Sequence, residues 1–334
     1  MLVARPEGQK TCILHIGLPK TGSTSIQVAF HANRETLLLH GIHYFSVEPN
    51  HSRQIRSAFI KHPEGYHMNI RLGLNAEESR RYAQQALDAL EREIAGSDMP
   101  FFMISAETIS FFKVDEFDRF WTFLRDRFDR IEIYGYLRSP VQLINAKVSE
   151  FLKQGEAVTD SRLRPQYKHL LAKYYQCDAD LVSIKFFDRS LLKNGSAVDD
   201  LLHDISQGKV CFPVDRRTRK KDQNASLSVR GAGFLYTVNK RFPAIQDGKR
   251  NHDRPSGLNR VATRLRGEKL RLAKRLVAEI LADQAPDIAW ASQIVGRDIN
   301  DLDGYEGNFD PETVPLDKHA IWVFVKAWFR ALGK

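Results

Sequence analysis

HIGLPKTGSTSIQ, residues 15–27, is the stretch that decides how this chain folds. Ahead of it runs TCILHIGL (11–18), apolar and rich in strand formers. Behind it runs STSIQVAFHANRETLLLHG (23–41), apolar at helical spacing, with Gly41 as a stop. The pattern predicts strand, loop, helix in that order. Gly17 and Gly22 permit a tight turn after the strand. The small residues at 23–25 let backbone N–H groups approach a phosphate, which the helix N-terminus and its dipole then favour.

Outward from this unit the same alternation continues. GIHYF (41–45) reads as a short strand, 76–95 as an amphipathic helix, PFFMISAE (100–107) as a buried strand and 114–128 as a helix. IEIYGYL (131–137) is a strand, the segment from Pro140 to about Gly155 a helix, LVSIKFFD (181–188) a strand, with a helix through about Ile205. Such alternation predicts an α/β fold: a mostly parallel sheet flanked by helices. A site is then expected at the carboxyl ends of the strands, which carry GLPKTGST, SAE, LRSP and FDR. Residues 206–334 contain a basic run, RRTRKKDQNAS (216–226), and a stretch, 258–282, that reads as one basic amphipathic helix. No strand is expected beyond 190. The expectation is a single domain, 1–334, with an α/β core over 11–205 and a helical C-terminal extension.

The spacing Gly17-x4-Gly22 mimics a P-loop, but a Walker A motif has Lys and Ser/Thr directly after its second Gly. Here Ser23 fills that slot and Lys20 lies two residues before Gly22. PKTGSTS (19–25) resembles the 5′-phosphosulfate-binding loop of the sulfotransferase superfamily, whose fold is similar to that of nucleotide kinases. The resemblance implies that Lys20, Thr21, Gly22, Ser23, Thr24 and Ser25 hold the 5′ side of 3′-phosphoadenosine 5′-phosphosulfate. IYGYLRSPVQLINAKVSEFLKQG (133–155) is similar to the family's 3′-phosphate element. Arg138 and Pro140 match it, and a guanidinium fork suits a phosphate. The family's serine eight residues after the Arg is missing: position 146 is Ala, leaving Asn145 and Ser149 as nearby substitutes. RTRKKDQNASLS (217–228) resembles the basic loop that closes over the 3′-phosphate, which implies roles for Lys221, Asn224 and Ser226. KFFDRSLLKNGSAVDDLL (185–202) also looks like the bacterial members.

Composition agrees with a soluble globular protein that meets anions. Of 334 residues, 43% are hydrophobic and 27% charged, and the net charge is +9. The three cysteines, Cys12, Cys177 and Cys211, form no CxxC pair, which argues against a disulfide framework or a zinc site. The N-terminus, MLVARPEGQK, is short and polar and does not read as a signal peptide, and no run of 18 apolar residues occurs. A cytoplasmic location is expected.

Sulfuryl transfer is an in-line displacement in which charge develops on the oxygen leaving with the 5′-phosphate. Lys20 and the amides of 21–25 would stabilise it, and a base must take the acceptor's proton. The resemblance implies a His or Glu base, and two residues are candidates: Glu107 at a strand end, and His51 in what reads as a polar loop, EPNHSRQ. No metal is required, and no carboxylate pair for Mg²⁺ stands out. The acceptor is expected to be a glycan or glycolipid. Two other readings stay open. One is a small-molecule kinase with a degenerate P-loop. The other is a non-enzymatic polyanion-binding protein, although 258–282 lacks the interleaved aromatics that nucleic-acid stacking needs. The segment HAIWVFVKAWFRALGK (319–334) forms an apolar helical face. It is expected to dock on the core, the alternative being peripheral contact with a membrane surface.

Overall fold

The computed structural model describes residues 8–45, 48–156, 158, 160–212, 227–246 and 249–313. The expected helix at 319–334 and the basic loop with Lys221, Asn224 and Ser226 lie outside the described residues.

Five strands form one sheet: β1 (Thr11–His15), β2 (Ile42–Tyr44), β3 (Phe101–Ser105), β4 (Arg130–Leu137) and β5 (Leu181–Phe186). Their order is β2-β3-β1-β4-β5 and every pairing is parallel. The fold is therefore α/β, a parallel sheet flanked by helices, consistent with a P-loop-type architecture. Central β1 is buried at every position, as a strand covered on both faces requires. Alternate residues leave the strand on opposite faces. On one face Ile13 and Met103 join Ile26 and Phe30 of α1 (Ser23–Ala32), Leu37 of α2 (Arg34–Leu39), and Leu201 and Ile205 of the helix Ala197–Ser206. Phe102 leaves β3 on the other side, where its ring lies 5.9 Å from Phe128.

Two segments depart from the sequence expectation. The helix expected over 23–41 breaks at Asn33 (φ −108°, ψ 22°) into α1 and α2, and Gly41 stops it as expected, with φ +81°. The stretch 258–282 is not one helix. Leu258–Arg264 and Lys274–Asp283 are helical, and the backbone between them bonds elsewhere. Leu270 N–H donates to the Leu227 carbonyl and Ala273 N–H to the Phe309 carbonyl, and Ser228 and Lys269 form an antiparallel bridge. Pairing across the chain satisfies these backbone groups better than continuing the helix. Beyond residue 190 a two-residue antiparallel hairpin, Ile245–Gln246 with Lys249–Arg250, was also not expected.

The chain gathers into two compact units. The first holds Met1–Arg138, Tyr167–Lys220 and Ile294–Gly296, hence the whole five-stranded sheet. The second holds Ser139–Gln166, Lys221–Gln293 and Arg297–Lys334. The division falls after Arg138, inside the expected 11–205 core, because the helix Pro140–Gln154 packs with later helices. Within this second unit the Asn239 amide donates to the carbonyls of Leu152 and Glu156, and Arg254 donates to the Asn239 oxygen. No helix of the described residues is long and apolar enough to cross a membrane.

Candidate functional site

The loop after β1 is held from several sides. Ile16 N–H donates to the Tyr134 carbonyl and Leu18 N–H to the Tyr136 carbonyl, tying the start of the loop to β4. Thr21 Oγ1 and Ser23 Oγ donate to the Leu18 carbonyl at 2.6 and 3.3 Å. These two hydroxyls therefore shape the loop, while Thr24 and Ser25 are exposed. Gly17 and Gly22 take φ of +90° and +87°, as the turn requires. Lys20 also has positive φ, +70°, which its spacing did not announce. A side chain held there stores roughly 1–2 kcal/mol of strain, tolerated where neighbours over-determine it. Arg138 is one such neighbour: its Nη1 donates to the Lys20 carbonyl at 3.0 Å.

α1 begins directly after Gly22, and no side chain caps it. Ser25 N–H bonds the Gly22 carbonyl at 2.9 Å, which leaves the amides of Ser23 and Thr24, with the positive dipole end of α1, to face an anion beside Lys20. Glu107 stands next to this loop. It opens the 3-10 turn Glu107–Phe111 that follows β3, and it is half-buried. A Cβ placed on Gly17 would come within 2.9 Å of Glu107 Cβ, so only glycine allows so close an approach. Lys20, the residues of 21–25, Arg138 and Glu107 thus gather at the carboxyl edge of β1, β3 and β4.

His51 is placed differently from its expectation. The residue read as lying in a polar loop is fully buried, at the N-terminal end of α3 (Ser52–Phe59), between the rings of Tyr44 and Phe45. Its Nδ1 accepts the Ser105 N–H at 2.9 Å, and Nε2 has no partner among the described residues. Desolvation pushes its pKa down to about 3. His15 mirrors it: buried, with Nδ1 2.7 Å from Ser105 Oγ, and pushed down to about 3 by desolvation. The two neutral rings clasp Ser105 beneath the loop. An imidazole whose accepting nitrogen is already used inside the core is not placed to take a substrate proton.

Asn145 and Ser149 belong to the second unit. Asn145 Oδ1 accepts from Leu272 N–H at 2.7 Å and from the Tyr305 hydroxyl at 3.2 Å, and its Nδ2 donates to the Val141 carbonyl. Its oxygen and one amide N–H are thus used in packing within this unit. Ser149 is buried, and its Oγ accepts a long 3.4 Å bond from Leu227 N–H. The N-terminus of the helix Pro140–Gln154 is filled as well. Asp301 accepts from Ser139 Oγ at 2.6 Å and from Val141 N–H at 3.2 Å.

The sequence reading missed α3 altogether, and with it Arg53 and Arg56. Arg56 Nη1 donates to the carbonyl of Thr108, the residue after Glu107, at 3.2 Å. The i, i+3 spacing of the two arginines in HSRQIRSAF was the available signal.

No protein-family model matches this chain, and no curated protein matches it. Among solved structures, a chain from the PezAT chromosomal toxin–antitoxin system of Streptococcus pneumoniae is similar at 14% identity, over 65% of this chain and 85% of its own, with a TM-score of 0.29. That superposition is too loose to transfer anything to this chain.

Proposed function

We propose that this chain is a sulfotransferase that moves a sulfuryl group from 3′-phosphoadenosine 5′-phosphosulfate to a hydroxyl or amine on a glycan or glycolipid. The observation that carries the reading is the uncapped start of α1 behind a braced loop, with Lys20 in it and Glu107 against it. The 5′-phosphosulfate would lie on the amides of the loop that precede Ser25, whose own N–H bonds the Gly22 carbonyl. Lys20 would neutralise charge on the oxygen that departs with the 5′-phosphate, a fixed donor aimed at developing charge. Arg138 holds the Lys20 carbonyl, and the planar geometry of its guanidinium matches a phosphate. Glu107 would take the acceptor's proton as the oxygen or nitrogen attacks sulfur. His51, sealed in the core, is left out of the chemistry.

The reading is tested by incubating the full chain with donor carrying a radiolabelled sulfuryl group and a panel of glycan and glycolipid acceptors. Label in the acceptor that vanishes in Glu107→Gln supports it. Label transferred instead from the γ-position of ATP in the presence of Mg²⁺ would make the chain a kinase and overturn it.

A further inference from the structure

α3 carries two arginines and brings one of them to the residue after Glu107. Arg53 and Arg56 stand three residues apart, on one face of the helix. Arg56 is half-buried, bonds the Thr108 carbonyl, and lies over the rings of Phe112 and Tyr66 at 5.6 and 5.8 Å. Burial lowers its pKa from the ordinary arginine value. Arg53 Nε donates to Asn69 Oδ1 at 3.3 Å, and its guanidinium lies 3.8 Å over the Tyr82 ring. The Tyr82 hydroxyl is buried with no hydrogen-bond partner among the described residues. Neither arginine forms an ion pair with a carboxylate among the described residues. Lys173 adds a third cation near Arg56, with its ammonium spent on the carbonyls of Ser110 and Phe112. The carboxylates nearby are Glu116, which accepts the Lys113 N–H, Glu48, whose charge reaches Tyr82 beside that of Arg53, and Glu107 itself. Tyr66, pushed up to about 12 by burial, also feels the charges of Arg56, Glu107 and Arg53.

Withdrawing guanidinium groups from water without a counter-ion is costly, and their planar forks match a carboxylate. We propose that Arg53 and Arg56 bind a carboxylate on the acceptor, so that the substrate of this site is an acidic sugar whose hydroxyl is presented to Glu107. The inference rests on the sulfotransferase reading for the reaction and on α3 for the substrate class.

The test uses the full chain saturated with adenosine 3′,5′-bisphosphate and two sugars that differ in one group, 4-nitrophenyl β-D-glucuronide and 4-nitrophenyl β-D-glucoside. Calorimetry is expected to show the glucuronide binding about tenfold tighter or better, as charge-assisted pairing to two arginines implies. Arg53→Gln and Arg56→Gln should each shrink that preference, and the double variant should erase it. Arg56→Lys, which keeps the charge, should retain part of it. Bisphosphate affinity should hold in all of them, which separates loss of the subsite from loss of the fold. Equal affinity for the two sugars, including no binding of either, overturns the proposal, as does a preference that survives the double variant. A chain that prefers the glucuronide through these arginines yet binds no bisphosphate would keep the subsite and discard the sulfotransferase reading.

Discussion

Two helices follow neighbouring strands of the same parallel sheet, and their beginnings are used in opposite ways. α1, after β1, starts behind Gly22 with no side-chain cap. The helix Pro140–Gln154, after β4, starts with the Asp301 carboxylate already on Ser139 and Val141. Both starts offer N–H groups and a positive dipole end. One is closed by the chain's own anion; the other is left open beside Lys20 and braced by Arg138. An open helix end costs stability that a cap would supply, and Lys20 at positive φ adds to that cost. Where a fold keeps both costs in one loop, a ligand is the natural counterpart.

Chemistry gives the largest expected effect. If the open end is a reaction site, Glu107→Gln should lower turnover about 10²- to 10⁴-fold while bisphosphate affinity is retained, as for a group acting on a proton in flight. Wild-type rates in this variant would move the base elsewhere. Next is Lys20→Gly, which removes the ammonium and the strain together. Bisphosphate affinity should fall about 10- to 100-fold. Chemical denaturation should show stability within about 1 kcal/mol of wild type, because glycine accepts φ +70° but gains entropy when unfolded. A variant that loses stability and binding in step would mean the lysine serves the fold.

Beneath the open loop lies the sealed polar pair, His15 and His51 on Ser105. Both have folded pKa values near 3, below the ordinary histidine value of 6.5. The unfolded chain therefore binds more protons between these values, and stability present above pH 6.5 is lost as pH falls. Each ring can remove up to about 1.4 kcal/mol per pH unit in that window. Unfolding at pH 7 and 5.5 should differ by about 2 kcal/mol from this pair, and His51→Gln should remove roughly half of the difference. An unchanged pH slope would mean the rings are hydrated. The smallest effect belongs to the closed helix: Asp301→Ala should cost about 1 kcal/mol as a lost cap and leave bisphosphate affinity alone. A change in affinity would show that this helix start also meets the donor.

The strand–loop–helix unit was legible because its signals are local. Apolar alternation, two glycines and small residues fix β1, the loop and α1, and the strand-end rule then finds Glu107 and Arg138. What was not legible depends on partners far along the chain. Asn145 serves Leu272 and Tyr305, 127 and 160 residues away. The end of the helix at Arg264 depends on pairing with Leu227, Ser228 and Phe309. His51 looked exposed because EPNHSRQ is polar, yet Tyr44 and Phe45 enclose it. α3 hid for another reason: it is only eight residues long and its buried positions include Ser52, Gln54 and Ser57, so few apolar residues mark it.

The most direct measurement is a calorimetric titration of the full chain with adenosine 3′,5′-bisphosphate and, separately, with ATP and Mg²⁺. The open start of α1, Lys20 and Arg138 predict micromolar binding of the bisphosphate that weakens at least about tenfold in Lys20→Ala. Tight binding of ATP with Mg²⁺ and none of the bisphosphate would contradict the account.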